Sequence, residues 1–261
     1  MQILILCGGL GTRLREETEF RPKPLVQVGP RPILWHIMKS YAQHGFKDFV
    51  LLLGYKGEMI REYFLNYHSM NCDVTVALDK PGHLAYHGNV RETDWRVTLV
   101  DTGARTMTGG RIARAARFID GDRFCVTYGD GLANLDFGKQ QRFHKEHGKL
   151  ATITGVHSPP RFGGLAVQGE IVTRFAEKEH RPDEQYINGG FFVFERKFLD
   201  YLSPDEDCIL EREPLEKAAR DDQLRMYPHT DYWQCMDTQR DFQLLNEQWA
   251  SGEAPWKTWP D

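Results

Sequence analysis

Near its amino terminus the chain reads Leu6-Cys7-Gly8-Gly9-Leu10-Gly11-Thr12-Arg13-Leu14. An apolar run stops, glycines follow at positions 8, 9 and 11, and a Thr-Arg pair comes next. Glycines let a backbone close on an anion and turn its N–H groups toward it. Arg13 adds a forked cation shaped for phosphate oxygens. Downstream stands Arg21-Pro22-Lys23-Pro24-Leu25. The two prolines are expected to hold Lys23 extended, since each fixes its own φ and restrains the residue before it. A braced ammonium beside a phosphate loop suits phosphoryl chemistry, where catalysis is stabilisation of charge. Alone, the glycines also fit an ordinary strand–turn; Arg13 and Lys23 favour a phosphate site. Neither common phosphate motif is present. No Gly-Lys-Ser/Thr occurs, and the G-x-G-x-x-G spacing fails because Leu14 stands where its last glycine is required.

Two carboxylates belong to the same chemistry. Asp130, in Tyr128-Gly129-Asp130-Gly131, follows the apolar run Phe124–Thr127, at the strand end where open α/β sheets bind ligands. Asp237 lies far downstream in Trp233-Gln234-Cys235-Met236-Asp237-Thr238. Two carboxylates converging on one hard cation is how Mg²⁺ is usually held beside a nucleotide. Each has a structural alternative: Asp130-Gly131 fits a tight turn, and Asp237 fits the N-cap of a helix over 238–249. His83 and His87 have the spacing of helical metal ligands but lack the Glu of a zinc protease motif. Pro81-Gly82 and Gly88 around them predict a loop, and zinc is not expected. The histidines have no Ser or Cys partner in a nucleophile elbow.

These groups need a scaffold. The runs Ile3–Leu6, Phe49–Leu53, Val97–Val100, Phe124–Thr127, Ala151–Gly155 and Phe191–Phe194 read as buried strands. Ile33–His44 has helical spacing and is stopped by Gly45; Glu58–Tyr67 and Phe137–His147 are also helix-like. Alternation of strands and helices predicts an α/β, Rossmann-like layered fold with a mixed, largely parallel central sheet. The Gly/Pro-rich stretch 155–190, with alternation over Glu170–Phe175, predicts a small β hairpin and loop region at the sheet's carboxyl edge. Trp249, Trp256 and Trp259 mark a tail that docks on its own core or makes an oligomer contact. With no repeat or linker, the 261 residues are expected to form one domain.

Composition excludes other classes. With 33 Lys+Arg against 37 Asp+Glu the net charge is −4, unlike a basic nucleic-acid clamp. At 41% hydrophobic and 12% aromatic the chain is too apolar to be disordered. No run approaches the ~20 apolar residues of a membrane span. Met1–Leu6 lacks a basic flank and runs into glycines, so it does not read as a signal peptide. Cys7, Cys72, Cys125, Cys208 and Cys235 form no C-x-x-C pair and read as reduced thiols of a cytoplasmic protein.

Gly8–Leu14 followed by Pro22–Leu25 resembles the signature of the sugar-1-phosphate nucleotidylyltransferases. Pro32–Lys39, Thr98–Gly103, Met107–Arg111, Thr127–Gly131, Asn188–Val193 and Ala254–Trp259 extend the likeness along the chain. Met107–Arg111 and the Trp-rich ending make it most similar to the branch that forms CDP-glucose. The resemblance implies CTP and glucose 1-phosphate as substrates, CDP-glucose and pyrophosphate as products, and Mg²⁺ as cofactor, with Asp130 and Asp237 as its ligands because the family uses an aspartate at each of these places. The same chemistry with another NTP, sugar or polyol phosphate, or a non-catalytic nucleotide-sugar-binding module, are the alternatives.

It further implies a nucleotide-binding part at about 1–130, with Leu6, Gly8, Gly9, Gly11, Thr12, Arg13, Lys23 and Asp130. Lys23 and Arg13 would be the catalytic cations. Thr108, Gly109, Gly110 and Arg111 would read the base through backbone amides and the guanidinium, although Arg111 equally fits a helix-surface charge. The sugar-phosphate and carboxyl-terminal part, about 131–261, would use Gly163, Glu177, Lys178, Asn188 and Gly189. Asn188-Gly189 is otherwise a simple turn, and Glu177-Lys178 otherwise a solvated pair. His180 and Arg181 stand where relatives often carry Pro and Gly. The family also implies a homo-oligomer and a product feeding deoxysugar synthesis for surface polysaccharide, while the charge balance and the short apolar runs give the expectation of no nucleic-acid and no membrane partner.

Overall fold

The apolar runs pair into a seven-stranded sheet. Its order is Leu224–His229, Ala151–Val156, Ile187–Glu195, Arg123–Tyr128, Gln2–Cys7, Asp48–Leu53, Arg96–Asp101. A computed structural model describes residues 1–79, 82–88, 91–157, 164–168, 171–176 and 186–260. Within the sheet, Ile187–Glu195 runs antiparallel to both neighbours, and the other pairings are parallel. The sheet is thus mixed and largely parallel.

Its inner strands, such as Gln2–Cys7 and Asp48–Leu53, are mostly apolar because both faces are covered, as in parallel sheets flanked by helices. The edge strands Arg96–Asp101 and Leu224–His229 are only partly buried, so Val97–Val100 is a half-exposed edge strand and not the buried strand its apolar run predicts. Successive residues feed opposite cores. Ile3, Ile5, Cys7, Phe49, Leu51 and Leu53 pack on one side with the helices Ile33–Ala42, Gly57–Leu65 and Gln239–Ala250. Leu4, Leu6, Val50, Leu52, Phe124 and Val126 pack on the other with the helices Thr108–Ala115 and Glu213–Arg220. Each fully buried aliphatic or aromatic side chain contributes ~1.5–3 kcal/mol. The fold therefore holds the strand ends, where the candidate site lies, on a stiff frame.

Smaller elements differ from the sequence-based expectations in instructive ways. Leu84–His87 is a strand paired with Asp73–Val76, not a loop. Lys23 is not extended: Lys23–Leu25 forms a 3₁₀ turn, and the extended residue is Pro22. Leu25 N–H donates to Pro22 O at 2.8 Å, and closing that turn outweighs the pre-proline preference. The expected hairpin in 155–190 exists, as Gly164–Gln168 against Ile171–Ala176. The tryptophan tail docks on its own chain. Trp256 is fully buried and packs against Tyr232 and Trp249, and Trp259 meets Trp35 edge-on. No helix among the described residues is long and apolar enough to cross a membrane.

Candidate functional site

The parallel strands Gln2–Cys7 and Arg123–Tyr128 end side by side, with Leu6 opposite Tyr128 in register. Beyond their carboxyl ends opens a cavity of about 920 Å³. Leu6, Gly8, Gly9, Gly11, Thr12, Arg13, Lys23, Thr108, Arg111, Asp130, Asn188, Gly189 and Asp237 all line it.

The glycine loop is shaped from behind. Gly8 O accepts from Arg111 Nη2 at 3.0 Å and from Tyr55 N–H at 3.3 Å. A trans peptide sets C=O and the next N–H on opposite sides, so the Gly9 N–H faces away from those donors. It has no partner among the described residues. Gly11 takes a left-handed conformation, φ 64°, and starts the 3₁₀ turn Thr12–Leu14 that projects Arg13.

Arg111 is not a helix-surface charge: it is 4% exposed. Its guanidinium also donates to Leu53 O at 2.8 Å, Thr102 Oγ1 at 2.7 Å and Gly103 O at 2.8 Å. It fits because a Cβ on Gly8 would stand 2.1 Å, and one on Gly54 2.4 Å, from guanidinium atoms. Its donors tie strand ends together and leave little capacity for reading a base. Gly109 and Gly110 face elsewhere as well. Both are buried against the 205–210 segment, where a Cβ would meet Cys208 Sγ at 2.6 Å or Asp205 O at 2.3 Å. The Gly110 N–H donates to Cys208 O at 3.0 Å. Neither glycine lines the cavity, because the helix start packs inward.

Four charges meet at the cavity. Lys23 Nζ lies 2.6 Å from Asp130 Oδ2 and 2.6 Å from Asp237 Oδ1. Arg13 Nη1 lies 2.9 Å from Asp237 Oδ2. Burial, the largest single influence on Lys23, disfavours its ammonium, but the two carboxylates outweigh it and the pKa stands above the usual lysine value. For Asp237 burial again acts first, favouring the acid form; Lys23 and then Arg13 outweigh it and the pKa falls below the usual carboxylate value.

A short ladder makes this meeting happen. Gly131–Ala133 pairs antiparallel with Trp233–Cys235, and Met236 N–H donates to Asp130 O at 2.9 Å. Asp237 is therefore delivered beside Asp130. It is not the N-cap of the next helix. Thr238 caps Gln239–Ala250 in a capping box with Asp241, which leaves the Asp237 carboxylate for the two cations.

On the opposite wall, Asn188 Nδ2 donates to Tyr128 Oη at 3.0 Å, and Asn188 Oδ1 accepts the Gly190 N–H at 2.8 Å. Trp233 Nε1 donates to Gly189 O at 2.8 Å. Tyr128 donates to Glu211, whose other oxygen accepts from Thr108 Oγ1 at 2.6 Å. The sequence-based reading missed Tyr128 and Trp233 as cavity residues, and Glu211 behind them. Tyr128 and Trp233 adjoin Asp130 and Asp237 in motifs already singled out, and that proximity was the available signal. Nothing in the local sequence marks Glu211. Gly163, Glu177 and Lys178, together with Arg161 and Phe162, lie outside the described residues.

Comparison with known proteins supplies the context. The pattern of the family described as Nucleotidyl transferase matches residues 2–250. The chain is 48% identical over 260 residues to a glucose-1-phosphate cytidylyltransferase of Salmonella typhi, covering 99% of this chain and 100% of that one. It is 47% identical over 260 residues, with the same coverage, to a protein of the same name from Salmonella typhimurium. Among solved structures, HddC from Yersinia pseudotuberculosis complexed with GMP-PN superposes with a TM-score of 0.69 at 23% identity. That match covers 95% of this chain and 99% of HddC, and it shows a shared fold.

Proposed function

This chain belongs to the nucleotidyl transferase family, and on that premise we propose that it transfers a cytidylyl group from CTP to glucose 1-phosphate. The products are CDP-glucose and pyrophosphate. The full-length likeness to glucose-1-phosphate cytidylyltransferases supports the choice of substrates. The observation that carries the chemistry is Lys23, held between Asp130 and Asp237 at the mouth of the glycine loop.

A phosphate oxygen of glucose 1-phosphate attacks the α-phosphorus of CTP in line. The new P–O bond forms as the bond to the pyrophosphate oxygen breaks, and the electron pair leaves with pyrophosphate. The attacking phosphate is already ionised at neutral pH, so no protein nucleophile is required. The chain's work is to position two anions and offset their charge. The loop Gly8–Thr12 receives the triphosphate, with the Gly9 N–H as a ready donor. Arg13 and Lys23 offset the charge that builds on the departing pyrophosphate. Asn188 and Gly189 take the sugar side, as Gly163, Glu177 and Lys178 do in our reading. The division of labour follows the chain, with about 1–130 serving the nucleotide and about 131–261 the sugar phosphate.

Asp130 and Asp237 suit a hard divalent cation. They are oxygen donors that converge on one cation already, the Lys23 ammonium, beside the space for phosphates. Among the described residues no third protein carboxylate, His or Cys completes a ligand set. That fits Mg²⁺, which usually takes one or two carboxylates and fills the rest with water and substrate phosphate. Bound there, Mg²⁺ would withdraw charge from phosphate oxygens. We place the enzyme in the cytoplasm, in keeping with its cysteine pattern, and as a homo-oligomer, in keeping with its family.

The test is product analysis by mass across CTP, UTP, GTP and ATP with a panel of sugar and polyol 1-phosphates. CDP-glucose as the dominant product is expected. A different preferred pair would overturn the substrate assignment, and no product from any pair would overturn the activity.

A further inference from the structure

Glu211 does not line the cavity, yet its carboxylate joins two residues that do. It accepts from the Tyr128 hydroxyl on one oxygen and from Thr108 Oγ1 on the other, at 2.6 Å. Thr108 opens the helix Thr108–Ala115 on the nucleotide side. Tyr128 ends the strand Arg123–Tyr128 and meets Asn188 on the sugar side. We propose that Glu211 is a positioning residue for sugar-phosphate recognition, acting through Tyr128 to fix which way the Asn188 amide faces. This rests on the substrate assignment made above.

The argument is one of hydrogen-bond directions. An ionised carboxylate only accepts. Tyr128 must then spend its single proton on Glu211, and its oxygen is left as an acceptor. Only the amide nitrogen of Asn188 can meet that acceptor, so Nδ2 faces Tyr128, and Oδ1 takes the Gly190 N–H. One N–H of Nδ2 remains, and a sugar hydroxyl is the group it would meet. Thr108 is committed by the same logic. Its hydroxyl donates to Glu211 and accepts from the Leu210 N–H at 2.9 Å, so it has no proton to offer a ligand.

Glu211→Gln preserves shape but supplies an amide N–H to one of the two hydroxyls. Where that is Tyr128, its proton turns toward Asn188 and the amide must rotate. Glu211→Asp keeps an acceptor-only group. In steady-state assays Glu211→Gln is expected to raise KM for glucose 1-phosphate ~10-fold or more, the effect of a lost hydrogen bond to a polar substrate group. KM for CTP should move less than about twofold, and Glu211→Asp should recover part of the loss. Tyr128→Phe, which leaves the carboxylate in place, should reproduce the selective rise. Because Asn188 is the common target, combining Glu211→Gln with Asn188→Ala should cost no more than Asn188→Ala alone. Equal rises in both KM values, full additivity with Asn188→Ala, or wild-type kinetics in both Glu211→Gln and Tyr128→Phe would overturn the proposal. Failure of the substrate assignment would be distinct, since the unmodified protein would then form no CDP-glucose.

Discussion

Lys23 and Asp237 are separated by 214 positions in the chain, and their charged groups by 2.6 Å. The Asp130 carboxylate stands at the same distance on another side of the ammonium. The cation is therefore placed by two carboxylates from distant parts of the sequence, while Arg13 contacts one of them from the rim.

Removing that ammonium should be felt in chemistry first. Lys23→Ala is expected to lower turnover by ~10²–10³, the scale for losing one preorganised charge partner. The circular dichroism spectrum should remain native, because Lys23 lies outside both apolar cores. Near-normal turnover in this variant would refute its role.

Asp130→Asn keeps size and removes the charge. Activity measured against increasing Mg²⁺ should lose its metal response in this variant. A titration curve that superposes on the parent's would remove Asp130 from the metal site.

The slot that holds Arg111 predicts a stability effect. A Cβ at Gly54 would lie 2.4 Å from Arg111 Nη1, and relief requires moving a guanidinium that ties Leu53, Thr102, Gly103 and Gly8. Gly54→Ala is expected to destabilise by ~2 kcal/mol or more, combining overpacking with broken hydrogen bonds. Urea denaturation of the two proteins measures it, and an unchanged midpoint would mean that the slot yields freely.

Acid should loosen the tryptophan cluster. His36 Nε2 lies 2.9 Å from Val28 O, so that nitrogen carries the proton and Nδ1 accepts from Trp256 Nε1 at 3.4 Å. Burial lowers the His36 pKa to about 4. A histidine with its folded pKa below the unfolded value of ~6.5 contributes stability that is fully present above the unfolded value and is lost as pH falls toward the folded one. Between pH 6.5 and 4 this residue should cost up to ~3 kcal/mol. Melts across that range should show a steeper decline for the parent than for His36→Gln, and parallel profiles would contradict it.

The sequence by itself determined the layered α/β class, the strands and the loop from Leu6 to Leu14, because each depends on local spacing. Short apolar runs rich in β-branched and aromatic residues, bounded by Gly, Asp or Pro, favour strands, and their place in the sheet then decides burial, as the half-exposed edge strand Arg96–Asp101 shows. Arg13, Lys23, Asp130 and Asp237 were legible as residue types in informative settings. That they converge was decided in tertiary structure, by the ladder that brings 233–235 beside 131–133. The fates of Arg111, Gly109 and Gly110 were decided there too, since which face a helix turns inward depends on what packs against it. Glu211 carries no local mark. Its position behind the wall follows from where Tyr128 and Thr108 meet, a long-range juxtaposition that spacing along the chain does not encode.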